Sequence, residues 1–241
     1  MRVLELWRYP VKSLQGERLA AADVGALGIT GDRCWALFDR DTGLGLTARR
    51  VPELLWGSAR LRADRGVEVV LPDGTVTTDD AVLSDWLGRR VELRAASDEG
   101  DLPPTYETPV DEDAADPDEW RQWEGASGPF HDSPRIRLSL VSTGTLGSWD
   151  RRRFRANVVL DGEGEDRMRG QEASLGGVRL RFGVPIGRCV MTTRPQPGGI
   201  GRDNSVLKTI HRERGGLLAV RAFVLAPGTV RVGDELRPAA D

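Results

Sequence analysis

Cys189 is one of only two cysteines in the 241 residues, and it follows Arg188 directly in the run Pro185 to Gly201, P-I-G-R-C-V-M-T-T-R-P-Q-P-G-G-I-G. The glycines and prolines make the second part of that run a loop that cannot be helical. Val190, Met191, Thr192 and Thr193 read as the end of a strand. Arg188 supplies a fixed positive charge, which favours the thiolate, the form that attacks electrophiles and binds metals. The plainer reading is a small buried hydrophobe, which cysteine often is. The segment alone leaves both open.

Cationic residues elsewhere suggest an anion. Lys12 and Ser13 follow a short apolar strand, Val3 to Trp7, and such a pair holds either a phosphate or only a solvated turn. Arg151 to Arg155 presents four arginines around Phe154. Arg151, Arg152 and Arg153 read as exposed helix-end charges. Arg155 enters an apolar run, where a guanidinium is costly unless an anion waits for it. The familiar alternatives find no support in the pattern. There is no HExxH or CxxC for a metal hydrolase, no G-x-S-x-G elbow, and Gly198-Gly199-Ile200-Gly201 follows prolines where a phosphate loop would follow a parallel strand. What remains is one thiol beside a guanidinium, with Lys12, Ser13, Arg33 and Arg155 as candidates for bidentate grip on a polyanion. His211 reads as a surface charge and Cys34, beside Trp35, as packing. A Cys34–Cys189 disulfide is the alternative for the thiols.

The elements that must position these groups are mostly strands. Gly28 to Asp39, Leu44 to Ala48 after an Asp41-Thr42-Gly43 turn, Leu61 to Arg65, Val67 to Leu71, Thr75 to Thr77 and Val91 to Ala95 read as strands of a first unit. Asp79-Asp80 caps a short helix ended by Gly88, whose Trp86 belongs to the core. From Ser97 to Glu119 acidic residues and prolines dominate, the signature of a loop or linker that could also dock a basic partner. Ile136 to Val141, Ala156 to Asp161, Val178 to Gly183, Leu217 to Leu225 and Val230 to Leu236 read as strands of a second unit. Ser142 opens one short helix in it, and Asp203-Asn204-Ser205 opens another from Val206 to Arg214. The fold class is thus mostly β with short helices, α+β, in two β-rich domains.

Charge and composition narrow the partners. The net charge of −3 and pI near 5.6 argue against a nucleic-acid binder. No apolar run approaches the ~20 residues of a membrane span, and the start of the chain carries Arg2, Glu5, Arg8 and Lys12 where a signal peptide would be apolar. A cytoplasmic protein is expected, in which thiols stay reduced.

Six stretches together resemble one family. Y-P-V-K-S at Tyr9 to Ser13, G-I-T-G-D-R at Gly28 to Arg33, L-T-A-R at Leu46 to Arg49, F-R-A-N at Phe154 to Asn157, R-C-V-M-T-T at Arg188 to Thr193 and P-G-T-V-R-V-G-D at Pro227 to Asp234 are similar in order and spacing to MOSC proteins. The resemblance implies an N-terminal MOSC β-barrel domain at 1–96, an acidic linker at 97–129 and a MOSC domain at 130–241. It further implies a Mo-molybdopterin cofactor with Cys189 as protein ligand to molybdenum, a soft sulfur on a metal that accepts one. Lys12, Ser13, Arg33, Arg155, Gly187 and Arg188 would bind the cofactor between the two domains. Relatives reduce N-hydroxylated compounds, so the expected activity is an oxidoreductase acting on small N-oxygenated substrates. A separate ferredoxin or flavin-type donor would feed it, because the chain ends at Asp241 with no iron–sulfur domain. The other expectation is a cofactor carrier or a sulfur carrier holding a persulfide on Cys189. The family also carries an association with pyridoxal phosphate. The chain departs from its relatives in having Ala156 within the Arg-Pro-Asn motif, Gln171-Glu172-Ala173-Ser174 in place of an acidic-Trp motif, and Ala222 where a tyrosine would approach the cofactor.

Overall fold

The computed structural model describes residues 1–96, 102–111 and 118–239. Short alternating runs closed by Gly, Pro and Asp turns make the regular structure of the described residues mostly strands, with three short helices. The first half runs β1 (Val3–Arg8), β2 (Glu17–Leu19), β3 (Ala21–Gly25), β4 (Gly28–Ile29), β5 (Trp35–Asp39), β6 (Ser58–Leu61), β7 (Val67–Val70), β8 (Val76–Thr77), helix α1 (Asp80–Leu87) and β9 (Val91–Ala95). Next come β10 (Thr105–Pro109), β11 (Trp120–Glu124), β12 (Leu138–Ser142), helix α2 (Thr143–Leu146) and β13 (Val158–Leu160). The chain closes with β14 (Glu172–Leu175), β15 (Val178–Gly187), helix α3 (Ser205–Arg214), β16 (Leu217–Ala226), β17 (Gly228–Arg231) and β18 (Leu236–Pro238).

The largest sheet has eight strands in the order β18-β14-β15-β16-β12-β13-β1-β2. Its inner face is drawn by strict alternation: Val178, Leu180 and Phe182 of β15 are buried while Arg179 and Arg181 point outward. With Leu6, Leu138 and Leu160 they form one core. A second core, including Leu14, Leu37, Leu55, Val69 and Leu83, fills the barrel around β5 to β9. Helix α1 keeps the expected caps, with Asp79 accepting from the Ala81 and Val82 N–H groups and Gly88 in the left-handed region. Helix α3 buries Val206, Leu207 and Ile210, as its spacing predicted.

Three expectations change. First, β1 pairs with β13 and β3 with β17, so the strands β1 to β4 complete sheets of the second half, while Val11 and Leu14 between them pack into the first half's core. The expected boundary at 96 is therefore not a boundary between sheets. Val3 and Leu6 belong to the second half's core, and burying them there holds β1 in place. Second, the stretch expected as the linker 97–129 contains a hairpin. β10 and β11 pair from Thr105↔Glu124 to Pro109↔Trp120, and the Gly45 N–H donates to the Thr105 carbonyl at 2.9 Å, joining the hairpin to the barrel. The apolar and aromatic residues decide this: Tyr106 is fully buried and its ring lies 4.9 Å from that of Trp123. Residues 97–101 and 112–117, the rest of the acidic stretch expected to dock a partner, lie outside the described residues. Third, some strand ends move. Leu44 to Ala48 returns beside β5 with only a bridge at Gly45, β6 ends at Leu61, and Val230 to Leu236 is split into β17 and β18 by a turn at Gly233 with φ of 92°.

Tyr106 fits so tightly that a Cβ on Gly45 or Gly125 would stand 2.3 or 2.5 Å from its ring, yet its buried hydroxyl has no partner among the described residues. Packing, not the hydroxyl, makes this residue matter. Tyr106→Ala is expected to cost about 3–5 kcal/mol, whereas Tyr106→Phe is expected to be neutral or stabilising because it removes an unsatisfied group. Urea unfolding of the two variants checks this, and equal losses would contradict it.

Candidate functional site

One open cavity lies between the two halves, and all seven residues expected from the sequence line it: Lys12, Ser13, Arg33, Arg155, Gly187, Arg188 and Cys189. Residues up to 177 positions apart in number meet because β1 crosses into the second half's sheet and brings the segment after it along. The segments are held by hydrogen bonds from one half to the other. Arg155 Nη1 donates to the Leu14 carbonyl at 2.6 Å, and Arg33 Nη2 to the Arg155 carbonyl at 3.2 Å.

The backbone at the wall is unusual. Ser13, Arg33 and Arg155 have φ of 70°, 54° and 52°, in the left-handed region that side chains other than glycine's disfavour. Each such residue costs on the order of 1–3 kcal/mol. A glycine would occupy these positions more cheaply, so the side chains themselves are what the structure retains. The conformations are fixed by neighbours: the Arg33 N–H is held by the Tyr9 carbonyl at 2.7 Å, and Ser13 Oγ accepts from the Ala48 N–H at 3.0 Å.

Six lining residues are cationic, Lys12, Arg33, Arg49, Arg153, Arg155 and Arg188, against one carboxylate, Asp132. Burial pulls the Arg155 and Arg188 guanidinium groups down to about 10, and it pulls the Lys12 amine down as well. Behind the wall, buried Asp32 accepts from Arg33, from Asn157 Nδ2 at 3.0 Å and from the Tyr9 N–H at 2.8 Å. The Arg155 and Arg33 guanidinium carbons lie 4.3 and 4.8 Å from the Tyr9 ring centre, and burial pushes its hydroxyl up to about 12. Tyr9 is a neutral cation-π platform. Among the described residues, Arg155 Nη2 and Arg188 Nη2 are buried and find no partner. Such donors are costly unless a ligand takes them.

Cys189 is half-buried and is not joined to Cys34 in a disulfide. The stretch Val190–Thr193, expected as a strand end, is a 3-10 turn that begins at Cys189, because β15 stops at Gly187 and Thr192 and Thr193 bond back to Cys189 and Val190. Arg188, the neighbour in sequence, turns its guanidinium to the Leu218 and Phe154 carbonyls, at 2.8 and 3.1 Å. The donor to the sulfur is Arg49, whose Nε lies 3.3 Å from Sγ. Gly187 lines the cavity as the end of β15, but the adjacent Arg188 N–H is taken by the Gly216 carbonyl at 2.9 Å. Lys12 is also engaged, donating to Asp132 and, at 2.9 Å, to the Phe130 carbonyl. Desolvation pushes the Asp132 carboxyl up, and Lys12, Arg49 and Arg33 outweigh it and hold the group well below the usual carboxylate range.

The MOSC N-terminal beta barrel domain model matches residues 1–100, and the MOSC domain model matches residues 129–237. The chain belongs to the MOSC family. Among solved structures, the YuaD protein of Bacillus subtilis is 11% identical, with 100% of this chain and 96% of that one covered and a TM-score of 0.45. YiiM of Geobacillus stearothermophilus is 14% identical over 58% of this chain and 73% of its own, with a TM-score of 0.36. Curated proteins yield no match.

This MOSC cavity also contains residues that sequence reasoning missed. Arg153, expected among exposed helix-end charges, is buried, donating to the Thr192 and Gly201 carbonyls at 3.0 and 2.8 Å, and so shapes the loop after Cys189. Arg151 and Arg152 are half-buried, paired with Glu5 and Asp150. Arg49 stands in the L-T-A-R stretch, where nothing local connects it to a cysteine. His131 and Asp132 stand where the chain re-enters structure after the acidic stretch. Ala222, in place of the tyrosine, sits in the sheet opposite Leu138 and Phe182 and does not line the cavity.

Burial, helped by Arg33, pulls His131 down from 6.5 to about 3, so its imidazole is neutral, and its Nε2 is buried without a partner among the described residues. In the unfolded chain His131 takes a proton near 6.5, while the folded protein refuses it until about 3. The group's contribution is complete above 6.5 and drains away as pH falls toward 3, at about 1.4 kcal/mol per pH unit. His131→Phe is expected to flatten the acid side of the stability profile within that window, read by urea unfolding at pH 7.5, 6, 5 and 4. An unchanged slope would contradict the assignment.

Proposed function

We propose that this MOSC protein binds a Mo-molybdopterin cofactor in the cavity and acts as an oxidoreductase on small N-oxygenated compounds. In this reading it reduces N-hydroxylated substrates with electrons from a separate ferredoxin or flavin-type donor. The observation that carries the reading is the pair of unpartnered buried donors, Arg155 Nη2 and Arg188 Nη2, lining the same cavity as the Cys189 sulfur. Guanidinium forks suit phosphate oxygens, and a thiolate suits molybdenum. Among the described residues no cluster of three His, Cys, Asp or Glu side chains could hold a metal ion alone. One protein sulfur plus sulfur ligands brought by a pterin is the donor set these residues fit.

Arg155 and Arg188 would bind the phosphate, and the six cations together would offset its charge. Ser13 still has its hydroxyl hydrogen to donate, because its oxygen serves as acceptor for Ala48. Lys12 contributes less than the sequence implied, since Asp132 already neutralises it. Cys189 would anchor the metal. When bound, the cofactor supplies two-electron oxo-transfer chemistry at the metal, while the protein supplies binding and orientation. A half-buried thiol also suits the second reading, a carrier that holds cofactor or a persulfide without turnover. Pyridoxal phosphate would need a lysine for its aldehyde, and the lysine lining the cavity is Lys12, already ion-paired.

Protein purified from cofactor-competent cells is expected to carry molybdenum and pterin. Cys189→Ala is expected to lower metal content at least tenfold, and Arg155→Ala to lower both. Equal retention by wild type and Cys189→Ala, by metal analysis and pterin fluorescence, would overturn the assignment. Reduction of an N-hydroxylated amidine with an artificial electron donor separates enzyme from carrier, because a loaded carrier shows no turnover.

A further inference from the structure

Arg49 sits in the first half, 140 positions before Cys189, and beyond its share of the cavity's positive charge the proposed cofactor grip assigns it no contact of its own. One edge of its flat guanidinium carries two parallel donors. Nε addresses Cys189 Sγ at 3.3 Å, and Nη2 addresses Asp132 Oδ2 at 3.2 Å. The other oxygen of Asp132 is held by Lys12, which is only 5% exposed and lies 4.5 Å from the Tyr106 ring centre. The Arg49 guanidinium carbon lies 5.6 Å from the Trp123 ring centre. The series Lys12, Asp132, Arg49, Cys189 is thus fastened to the β10–β11 hairpin and ends on a sulfur of the other half.

We propose that Arg49 is a positioning residue that sets the positive charge at the Cys189 sulfur, and that Asp132 anchors its guanidinium so that Nε faces that sulfur. This deepens the reading of Cys189 as the reactive sulfur and rests on it for its purpose. Two features separate it from a chance contact. Asp132 is half exposed, 51% by side chain, so a surface carboxylate with no duty would sample solvent, yet both its oxygens are taken. Arg49 is 16% exposed, with its edge engaged end to end. Part of the sulfur's electrostatic environment therefore comes from the opposite half, beside that of its neighbour Arg188, and a change in how the halves sit would change it.

The test uses the full chain without cofactor and compares alkylation of Cys189 by iodoacetate, an anion, with that by neutral iodoacetamide, at one pH and low salt, read on the Cys189 peptide by mass. Both reagents attack the same sulfur, so the ratio of their rates reports local charge. Arg49→Gln is expected to lower the iodoacetate-to-iodoacetamide ratio about fivefold, what one unit charge about 4 Å away is worth in water. Arg49→Lys, which keeps the charge, is expected to stay within about twofold of wild type. A Gln variant also within twofold overturns the proposal. Asp132→Ala removes a negative charge, so simple electrostatics would raise the ratio. Anchoring predicts that it falls, and that Asp132→Asn, which keeps an acceptor, restores it. A rise in both Asp132 variants overturns the anchoring. Those variants leave buried Lys12 without its counter-ion, so if they unfold, Arg49→Gln, which keeps the Lys12–Asp132 pair, decides. No molybdenum enters the measurement, so its failure and a failure of cofactor binding are distinct results.

Discussion

Six cations share the wall of one cavity with a single carboxylate among them, and the surrounding structure has to hold that repulsion in check. It does so with dipoles and ring faces more than with counter-charges. Carbonyls of Leu14, Phe154, Leu218, Thr192 and Gly201 accept from Arg155, Arg188 and Arg153, and aromatic rings of Tyr9, Phe154, Tyr106 and Trp123 lie against the cations. The two acids that take part, Asp32 and Asp132, each serve two cavity groups or more. Hydrogen-bonded carbonyls remove desolvation cost without cancelling charge, so the cavity stays attractive to an anion.

The same constraint explains the interlocking of the halves. A cation from one half donates to a carbonyl of the other, as with Arg155 Nη1 on Leu14 and Arg33 on Arg155. β1 in the second half's sheet makes these contacts possible, and the β10–β11 hairpin lays Tyr106 and Trp123 beside Lys12 and Arg49. Positive φ at Ser13, Arg33 and Arg155 belongs to this arrangement, since strain is retained where neighbouring hydrogen bonds overdetermine the backbone.

Local signals were read well where the physics is local. Helix α1 announced itself by Asp79, Gly88 and the apolar residues between, and β15 by alternation from Val178 to Phe182. The hairpin at 105–124 was hidden because its acidic and proline-rich setting resembles a linker, while the burial of Tyr106 depends on Gly45 and Gly125 from elsewhere in the chain. Arg153 read as an exposed charge because its carbonyl partners lie some 40 residues further on. Cys189 with Arg188 was visible as a dipeptide, but the guanidinium that reaches the sulfur was not.

What the sequence alone determined is the β-rich class, most strand and helix positions, membership of a recognisable set of motifs, and seven of the residues that line the cavity. Those follow from alternation, capping and motif order, which act over a few residues or survive as short words. What only the tertiary structure decided is which half each segment completes, which arginine meets the sulfur, and which donors are left unpartnered. Hydrogen bonds and charge interactions depend on distances of a few ångströms between residues more than a hundred positions apart, and no spacing along the chain encodes those.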